Sequence, residues 1–228
     1  MKKDNMYSWI TKTRNFIGGE CPHRCIYCYV NTLKLRKLPE IQKRYTGELF
    51  LIDKELSKRE GKGKTIFVQD CGDLFAEAVL TKWIVKVLEH CRDYPENQYL
   101  FQTKNPKRFN DFINKFPKGS ILATTIESNE NYPGLSGAPS QKERSKAMCE
   151  LKCFPKMISV EPVLDFNLDS FVEMIRKINP KFVSIGADSK GNHLTEPDSA
   201  KLRVFINELK KFTEVRIKNN LKRLLNGM

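Results

Sequence analysis

The sequence lacks the apolar runs that membranes and export require. No stretch of about 18 apolar residues is present to cross a bilayer. The N-terminus, MKKDNMYSWITK, interrupts its few apolar residues with charged and polar ones, whereas a signal peptide carries about 7–15 apolar residues in succession. We therefore expect a cytoplasmic protein with no membrane association.

The cysteines do not form the pattern of a disulfide scaffold. There are seven, an odd number, and no export signal accompanies them, so reduced thiols are expected. Three of the seven, Cys21, Cys25 and Cys28, are crowded into the stretch GGECPHRCIYCYV at 18–30. Thiolates spaced this closely are soft ligands that usually bind a metal.

The crowded cysteines lack a fourth partner nearby. A structural zinc site and a saturated iron–sulfur cluster both use four protein ligands. The next cysteine along the chain is Cys71, and His23 lies in a loop already constrained by its neighbouring thiols. A ligand shell short of one protein donor is typical of a catalytic site, where a substrate or cofactor completes the coordination.

Short apolar, β-rich runs alternate with segments of helical periodicity along the 228 residues. Strands are predicted at 15–18, 65–70, 98–103, 121–127, 156–161 and 181–186, with a shorter one at 214–218. Helices are predicted at 80–94, 169–178 and 197–212, and a long functional loop at 127–141. This alternation predicts a parallel α/β sheet. No repeat or linker interrupts it, so a single domain, 1–228, is expected.

Polar residues end or follow five of the predicted strands. In a (β/α) barrel the carboxyl ends of the strands share the face that carries the active site, so these residues are candidates for that site. The alternative is that they occupy ordinary solvent-exposed turns. They are Asp70, Asp73, Thr103, Lys104, Glu127, Ser128, Glu161 and Asp188.

The stretch CPHRCIYC resembles the C-x₃-C-x-aromatic-C signature of the radical S-adenosylmethionine (radical SAM) superfamily. The order of this loop, FVQDCGDLF, LFQTKNP and ISVEPVL resembles most closely a small branch associated with phages and bacteria, whose substrate is unknown. It is similar, more distantly, to spore photoproduct lyase. The resemblance implies a partial (β/α)6-type TIM barrel of parallel strands, with the short seventh strand added.

The resemblance also implies the cofactors. In the superfamily three thiolates, here Cys21, Cys25 and Cys28, hold a 4Fe–4S cluster, and S-adenosylmethionine (SAM) binds its fourth iron. An electron from an external donor of the flavodoxin or ferredoxin type then cleaves SAM. The resulting 5′-deoxyadenosyl radical abstracts a hydrogen atom from the substrate.

Other site residues are carried over from the resemblance. Tyr27 fills the aromatic position against the adenine or the cluster, and DCGD replaces the motif that binds the SAM amino group. Glu161 lies in the strand that contacts adenine. A cysteine of spore photoproduct lyase returns a hydrogen atom to the product radical, and Cys71 could do the same here, although burial at a strand end is the favoured alternative. The SAM-binding candidates are Tyr27, Asp70, Gly72, Asp73, Lys104, Glu127, Ser128 and Glu161.

Two further cysteines, Cys149 and Cys153, are four residues apart on a predicted helix. An auxiliary cluster would need additional thiols nearby. Burial as small hydrophobic side chains is the better expectation.

Positive charge is concentrated at the two ends of the chain. Residues 1–64 hold 15 Lys and Arg against 7 Asp and Glu, and residues 201–228 hold 8 against 2. Basic N-terminal and C-terminal segments flanking the barrel opening would suit a polyanion, most commonly nucleic acid. The alternative is a lysine-rich surface with no common purpose. The basic candidates are Lys34, Arg36, Lys37, Lys43, Arg44, Lys210, Lys211, Lys218, Lys222 and Arg223.

Three functions remain open on the sequence. The first is a radical SAM enzyme acting on nucleic acid, a nucleotide or another anionic substrate. The second is an activating enzyme that takes a hydrogen atom from a partner protein. The third is a non-catalytic nucleic-acid module in which the thiols bind zinc.

Overall fold

The computed structural model describes residues 6–35 and 38–226. The strands are β1 (Lys12–Arg14), β2 (Ile17–Gly18), β3 (Phe50–Leu51), β4 (Thr65–Val68), β5 (Gln98–Thr103), β6 (Ser120–Thr125), β7 (Lys156–Val160), β8 (Phe182–Ile185) and β9 (Glu214–Ile217). The α-helices are α1 (Tyr29–Leu35), α2 (Pro39–Tyr45), α3 (Asp53–Leu56), α4 (Thr81–Arg92), α5 (Gln141–Glu150), α6 (Leu168–Ile178), α7 (Ser199–Lys210) and α8 (Lys222–Leu225). Two 3₁₀ helices span Pro106–Lys115 and Asn219–Leu221.

Seven strands form one open sheet in the order β1-β4-β5-β6-β7-β8-β9. The pairs β1–β4, β4–β5, β7–β8 and β8–β9 are all parallel. Each successive strand from β4 onward is joined by a helical crossover, as parallel neighbours require. The predicted α/β class with a parallel, partial-barrel type of sheet is confirmed, including the short seventh strand. No helix in the described ranges is long and apolar enough to span a bilayer.

The predicted first strand at 15–18 is wrong in position. The sheet strand is β1, three residues earlier, while β2 pairs antiparallel with β3 in a separate two-stranded ribbon. The reason is Gln69, whose φ of +67° turns the backbone out of β4. Its side-chain oxygen accepts from the backbone N–H groups of Phe16 and Ile17, both at 2.9 Å. The Gln69 side chain therefore forms the hydrogen bonds to the segment after β1 that a further backbone residue of β4 would form in a longer strand.

Contacts divide the chain into two compact units, with the boundary inside β6. The first unit contains the described residues up to Arg24 and from Cys28 to Leu122. Its core includes a cluster of aromatic rings, in which Phe75 lies 4.9–6.2 Å between centroids from Phe101, Phe109, Phe112 and Phe116. This cluster fixes the segment after β4 against β5 and the longer 3₁₀ helix.

The second unit contains Cys25–Tyr27 and residues 123–226. Helices α6 and α7 bury their apolar faces, and Phe171 stacks on Phe205 at 4.9 Å with an interplanar angle of 8°. Phe166 completes this group at 4.6 Å from Phe205.

Helix α5 shows why the prediction for Cys149 and Cys153 is wrong. A capping box starts the helix, since the Ser140 backbone N–H donates to the Glu143 carboxylate at 2.8 Å. The helix ends at Glu150, and Leu151 is already extended. Cys153 therefore lies beyond the helix and is exposed, while Cys149 is partly exposed.

Candidate functional site

The cysteine loop connects β2 to α1. Cys21 and Cys28 belong to the first unit and Cys25 to the second; Cys25 is buried and the other two are partly exposed, and all three are thiols rather than halves of disulfides. In residues 6–35 and 38–226, no three His, Cys, Asp or Glu side chains gather so as to hold a metal ion. The three thiols thus fit an iron–sulfur cluster in their chemical type and in their spacing along the chain.

In the first unit, Asp73 lies at the centre of a buried hydrogen-bond network. Its Oδ2 accepts from His23 Nε2 at 2.7 Å, from Thr103 Oγ1 at 2.9 Å and from the Lys104 backbone N–H at 2.8 Å. Its Oδ1 accepts from the Phe75 backbone N–H at 2.9 Å. Burial alone raises the pKa of Asp73, but the bonds from His23, Lys104 and Thr103 outweigh it and lower the pKa below the ordinary value. Asp73 is therefore an ionised acceptor bound by protein donors.

Asn15 holds the other residues of the DCGD segment. Its amide donates to Asp70 Oδ1 at 2.5 Å, and its carbonyl accepts from the Cys71 backbone N–H at 2.9 Å. Gly72 is packed so closely that a Cβ would stand 2.8 Å from Gln69 Nε2. The loop after β4 is thus fixed by residues that lie just after β1 and at the end of β4.

Cys71 lies against two tyrosines in the first unit. Tyr29 Oη is 3.1 Å from its sulfur, and a hydrogen bond from the Tyr45 side chain also reaches the thiol. Burial, followed by the charge of Asp70, raises the pKa of Cys71 to about 12. Burial and the neighbouring Cys71 likewise raise the pKa of Tyr29. At neutral pH this group of three side chains is fully protonated.

In the second unit, Tyr27 and Glu127 are partners. The Tyr27 hydroxyl donates to Glu127 Oε1, and Arg144 Nη2 donates to Glu127 Oε2 at 2.9 Å. Glu127 and Arg144 are both buried. Burial and then the Glu127 charge raise the pKa of Tyr27 well above its usual value. Two side chains thus fix the Glu127 carboxylate just beyond the end of β6.

Ser128 and Glu161 are also engaged within the second unit. Ser128 Oγ donates to the Asp165 backbone oxygen at 2.6 Å and accepts from the Glu130 N–H at 3.0 Å. Lys218 Nζ lies 2.7 Å from both carboxylate oxygens of Glu161. Both strand-end residues are therefore engaged in hydrogen bonds or an ion pair within this unit.

A cavity of about 590 Å³ opens beyond the carboxyl ends of β8 and β9. Its lining includes Asp188, Glu196 and Arg223. Arg223 Nη2 donates to the Asp188 backbone oxygen at 2.8 Å and to Glu196 Oε1 at 2.5 Å. Asp188, predicted at a strand end, thus forms part of a polar pocket in the second unit.

Several of the basic candidates are neutralised by carboxylates. Lys34 pairs with Glu20, Arg44 with Glu55, Lys211 with Glu208, Lys218 with Glu161 and Arg223 with Glu196. Arg36 and Lys37 lie outside the described residues. Lys43, Lys210 and Lys222 are exposed, so the positively charged surface is smaller than the sequence predicts.

Three residues of these hydrogen-bond networks are not predicted from the sequence. Tyr29 directly follows the last loop cysteine, and this position could have indicated that it lies near the site residues. For His23, the sequence argues only against a role as metal ligand and does not indicate its contact with Asp73. The sequence does not indicate the contact of Arg144 with Glu127, because an arginine inside a capped polar helix is typical of a solvated surface.

Solved structures define the class of this fold. A spore photoproduct lyase variant with bound AdoMet and dinucleoside spore photoproduct matches with a TM-score of 0.53 at 15% identity, over 87% of this chain and 60% of that chain. A second variant of that lyase matches with a TM-score of 0.60 at 12% identity, over 95% of this chain and 77% of that chain. SuiB from Streptococcus suis, bound to S-adenosylmethionine, matches with a TM-score of 0.57 at 11% identity, over 93% of this chain and 48% of that chain. The chain has the fold of radical SAM enzymes and spans about 60% of the first lyase's length.

The chain belongs to the DUF5131 family, whose description reads protein of unknown function. The model of this family matches residues 5–195. No curated protein matches the sequence.

Proposed function

We propose that the protein is a radical SAM enzyme that abstracts a hydrogen atom from an anionic substrate, and that this substrate is a nucleic acid or nucleotide. One observation carries the proposal. The C-x₃-C-x₂-C set of thiols, Cys21, Cys25 and Cys28, follows β2 in a fold shared with enzymes that bind SAM.

Cys21, Cys25 and Cys28 would hold a 4Fe–4S cluster and leave one iron for SAM. When bound, the cluster and SAM supply the radical that removes hydrogen from the substrate, after reduction by a flavodoxin- or ferredoxin-type donor. The protein's own part is to bind and orient these groups and to exclude side reactions.

The residues proposed to contact SAM come from the strand ends. Asp70 and Gly72 would face its amino group and Lys104 its carboxylate, whereas Glu127 and Ser128 would face the ribose or methionine. Arg144 and Tyr27 fix the Glu127 carboxylate, so its proposed part is to set the position of the loop that carries Ser128. The Tyr27 ring and the strand that ends at Glu161 would contact the adenine.

Cys71 is proposed to return a hydrogen atom to the substrate radical. In that step the S–H bond breaks, a C–H bond forms on the substrate, and the unpaired electron remains on sulfur. Only the thiol can do this, and a pKa of about 12 keeps Cys71 in that form. The hydroxyl of Tyr29, 3.1 Å from the sulfur, orients it.

The substrate proposal rests on charge and on one neighbour. The net charge is +13, most of it near the chain ends, which favours a polyanion. One spore photoproduct lyase structure contains a dinucleoside spore photoproduct. An anionic nucleotide-containing substrate is consistent with both.

The metal content tests the proposal. Protein prepared without oxygen should be brown and carry about four irons and four sulfides per chain. Replacing Cys21, Cys25 or Cys28 by Ala should abolish this content, because each thiolate holds one iron. Cys149→Ala and Cys153→Ala are matched controls that should leave it intact. Stoichiometric zinc in place of iron would contradict the proposal and favour the zinc module.

SAM binding provides a second test. Addition of SAM to the reduced protein should change the electron paramagnetic resonance spectrum of the cluster. With dithionite, 5′-deoxyadenosine should then form slowly without substrate. A spectrum that saturating SAM leaves unchanged would argue against the proposal, and cleavage that requires a partner protein would favour the activating enzyme.

A further inference from the structure

His23 is a buried polar side chain inside the cysteine loop, between Cys21 and Cys25, and it is 5% exposed. Its Nε2 lies 2.7 Å from Asp73 Oδ2. This distance is that of a hydrogen bond between two buried side chains. Nε2 of His23 is thus already engaged within the protein.

The turn that carries His23 has an unusual backbone. Arg24 adopts a φ of +43°, a conformation uncommon for residues other than glycine, and its N–H donates to the Cys21 carbonyl at 3.3 Å. Such a conformation is unfavourable for a residue other than glycine and persists only when surrounding contacts hold it. Outside the turn, the Arg24–Glu20 ion pair at 3.3 Å is exposed and contributes little. The buried hydrogen bond between His23 and Asp73 is therefore the stronger of these two contacts.

Asp73 is held by three further donors. They are the backbone N–H groups of Phe75 and Lys104 and the Thr103 hydroxyl. One carboxylate therefore joins the loop after β2, the loop after β4 and the end of β5.

We propose that Asp73 is a positioning residue that holds the cysteine loop through His23, and that it does not bind the SAM amino group. The proposal deepens the proposed function and rests on it for the identity of the cluster. It assigns His23 a supporting role rather than a place among the metal ligands. Side chains that orient ligands in this way typically change metal affinity by about 10- to 100-fold when removed.

The experiment compares Asp73→Asn, His23→Gln and the double variant, with Glu20→Gln as the control for a surface contact of the same loop. Iron loss to a chelator should be about 10- to 100-fold faster in both single variants. The double variant should lose iron no faster than either single one, because both changes break the same bond. The cluster that remains should still respond to SAM, and Glu20→Gln should behave as the wild type.

A different pattern would overturn the proposal. If Asp73→Asn retains iron but loses the spectral response to SAM while His23→Gln keeps both, Asp73 binds SAM. Alkylation of the metal-free protein gives an independent measurement, in which Cys21 should react faster in both variants and Cys149 at the unchanged rate. Unchanged Cys21 reactivity would contradict the positioning role. If the wild type takes up no iron, the proposed function fails and alkylation alone decides on Asp73. His23→Gln keeps the test available should Asp73→Asn not fold.

Discussion

At the scale of single residues, burial turns ordinary side chains into fixed donors and acceptors. Asp73 and Glu127 are both buried, and each carboxylate accepts from protein donors. Cys71 shows the opposite behaviour: burial and the charge of Asp70 raise its pKa, which keeps the thiol protonated. The same environment that suits a hydrogen-atom donor makes a poor nucleophile.

The protonation of Cys71 can be measured by alkylation. With a pKa of about 12, its thiolate fraction at pH 8 is roughly a thousandth of that of an ordinary thiol. Iodoacetamide should therefore modify Cys71 far more slowly than the exposed Cys153, as read by peptide mass spectrometry. The rate should rise tenfold per pH unit up to pH 11. A rate equal to that of Cys153 at pH 8 would show that Cys71 is an ordinary thiol.

At the scale of elements, a buried ion network ties the start of the sheet together. Glu60 precedes β4 and is 1% exposed. Arg14 Nε and Lys12 Nζ on β1 lie 2.8 and 2.5 Å from its oxygens, and His90 Nε2 on α4 lies at 3.2 Å. This network anchors β1, which has only three residues, to β4 and α4.

Glu60→Gln should destabilise the protein in a pH-dependent way. Burial raises the pKa of Glu60, but His90, Lys12 and Arg14 lower it to about 2. Since the folded pKa lies below the unfolded one, the stabilisation is present above about pH 4.5 and is lost as the pH falls to about 2. A shift of this size corresponds to about 3 kcal/mol. Urea unfolding at pH 7 should show a loss of that order.

The same unfolding measured at pH 3 should show a smaller difference between Glu60→Gln and the wild type. Glu96→Gln removes an exposed ion pair with Lys62 at 2.8 Å, and it should change stability little at any pH. Equal losses for the two variants would contradict the role given to the buried network.

At the scale of the whole molecule, charge is the property that bears on substrate. The segments at the two ends of the sequence are basic, and the middle, residues 65–200, holds 17 Lys and Arg against 18 Asp and Glu. Ion pairs neutralise several of the terminal cations, which leaves Lys43, Lys210 and Lys222 as exposed candidates. Lys218 is unsuitable for a charge-reversal test because it pairs with Glu161.

Nucleic-acid binding should depend on these exposed cations. The double variant Lys43→Glu with Lys222→Glu should weaken binding and reduce the slope of log affinity against log salt, because fewer counterions are released. Slow SAM cleavage without substrate should be unaffected. Lys82→Glu with Lys86→Glu makes the same charge change on α4 and should have less effect. Equal effects of the two pairs, measured by titration at several salt concentrations, would indicate general attraction only.

The sequence by itself determined the alternation of strands and helices and the spacing of the three loop cysteines. Both are local properties: periodicity follows from which side chains an element must bury, and spacing is covalent. Six of the seven sheet strands follow from that pattern. The thiol set follows from spacing alone, although the metal it binds does not.

Only the tertiary structure decided the position of the first strand and the partners of the buried acids. A side chain, Gln69, takes over the pairing after β1, and no periodicity records such an exchange. Tyr27 and Glu127 are 100 residues apart, and His23 and Asp73 are 50 apart. Whether a carboxylate binds a ligand or a protein donor depends on what folding brings beside it, since a buried charge is stable only when it is paired.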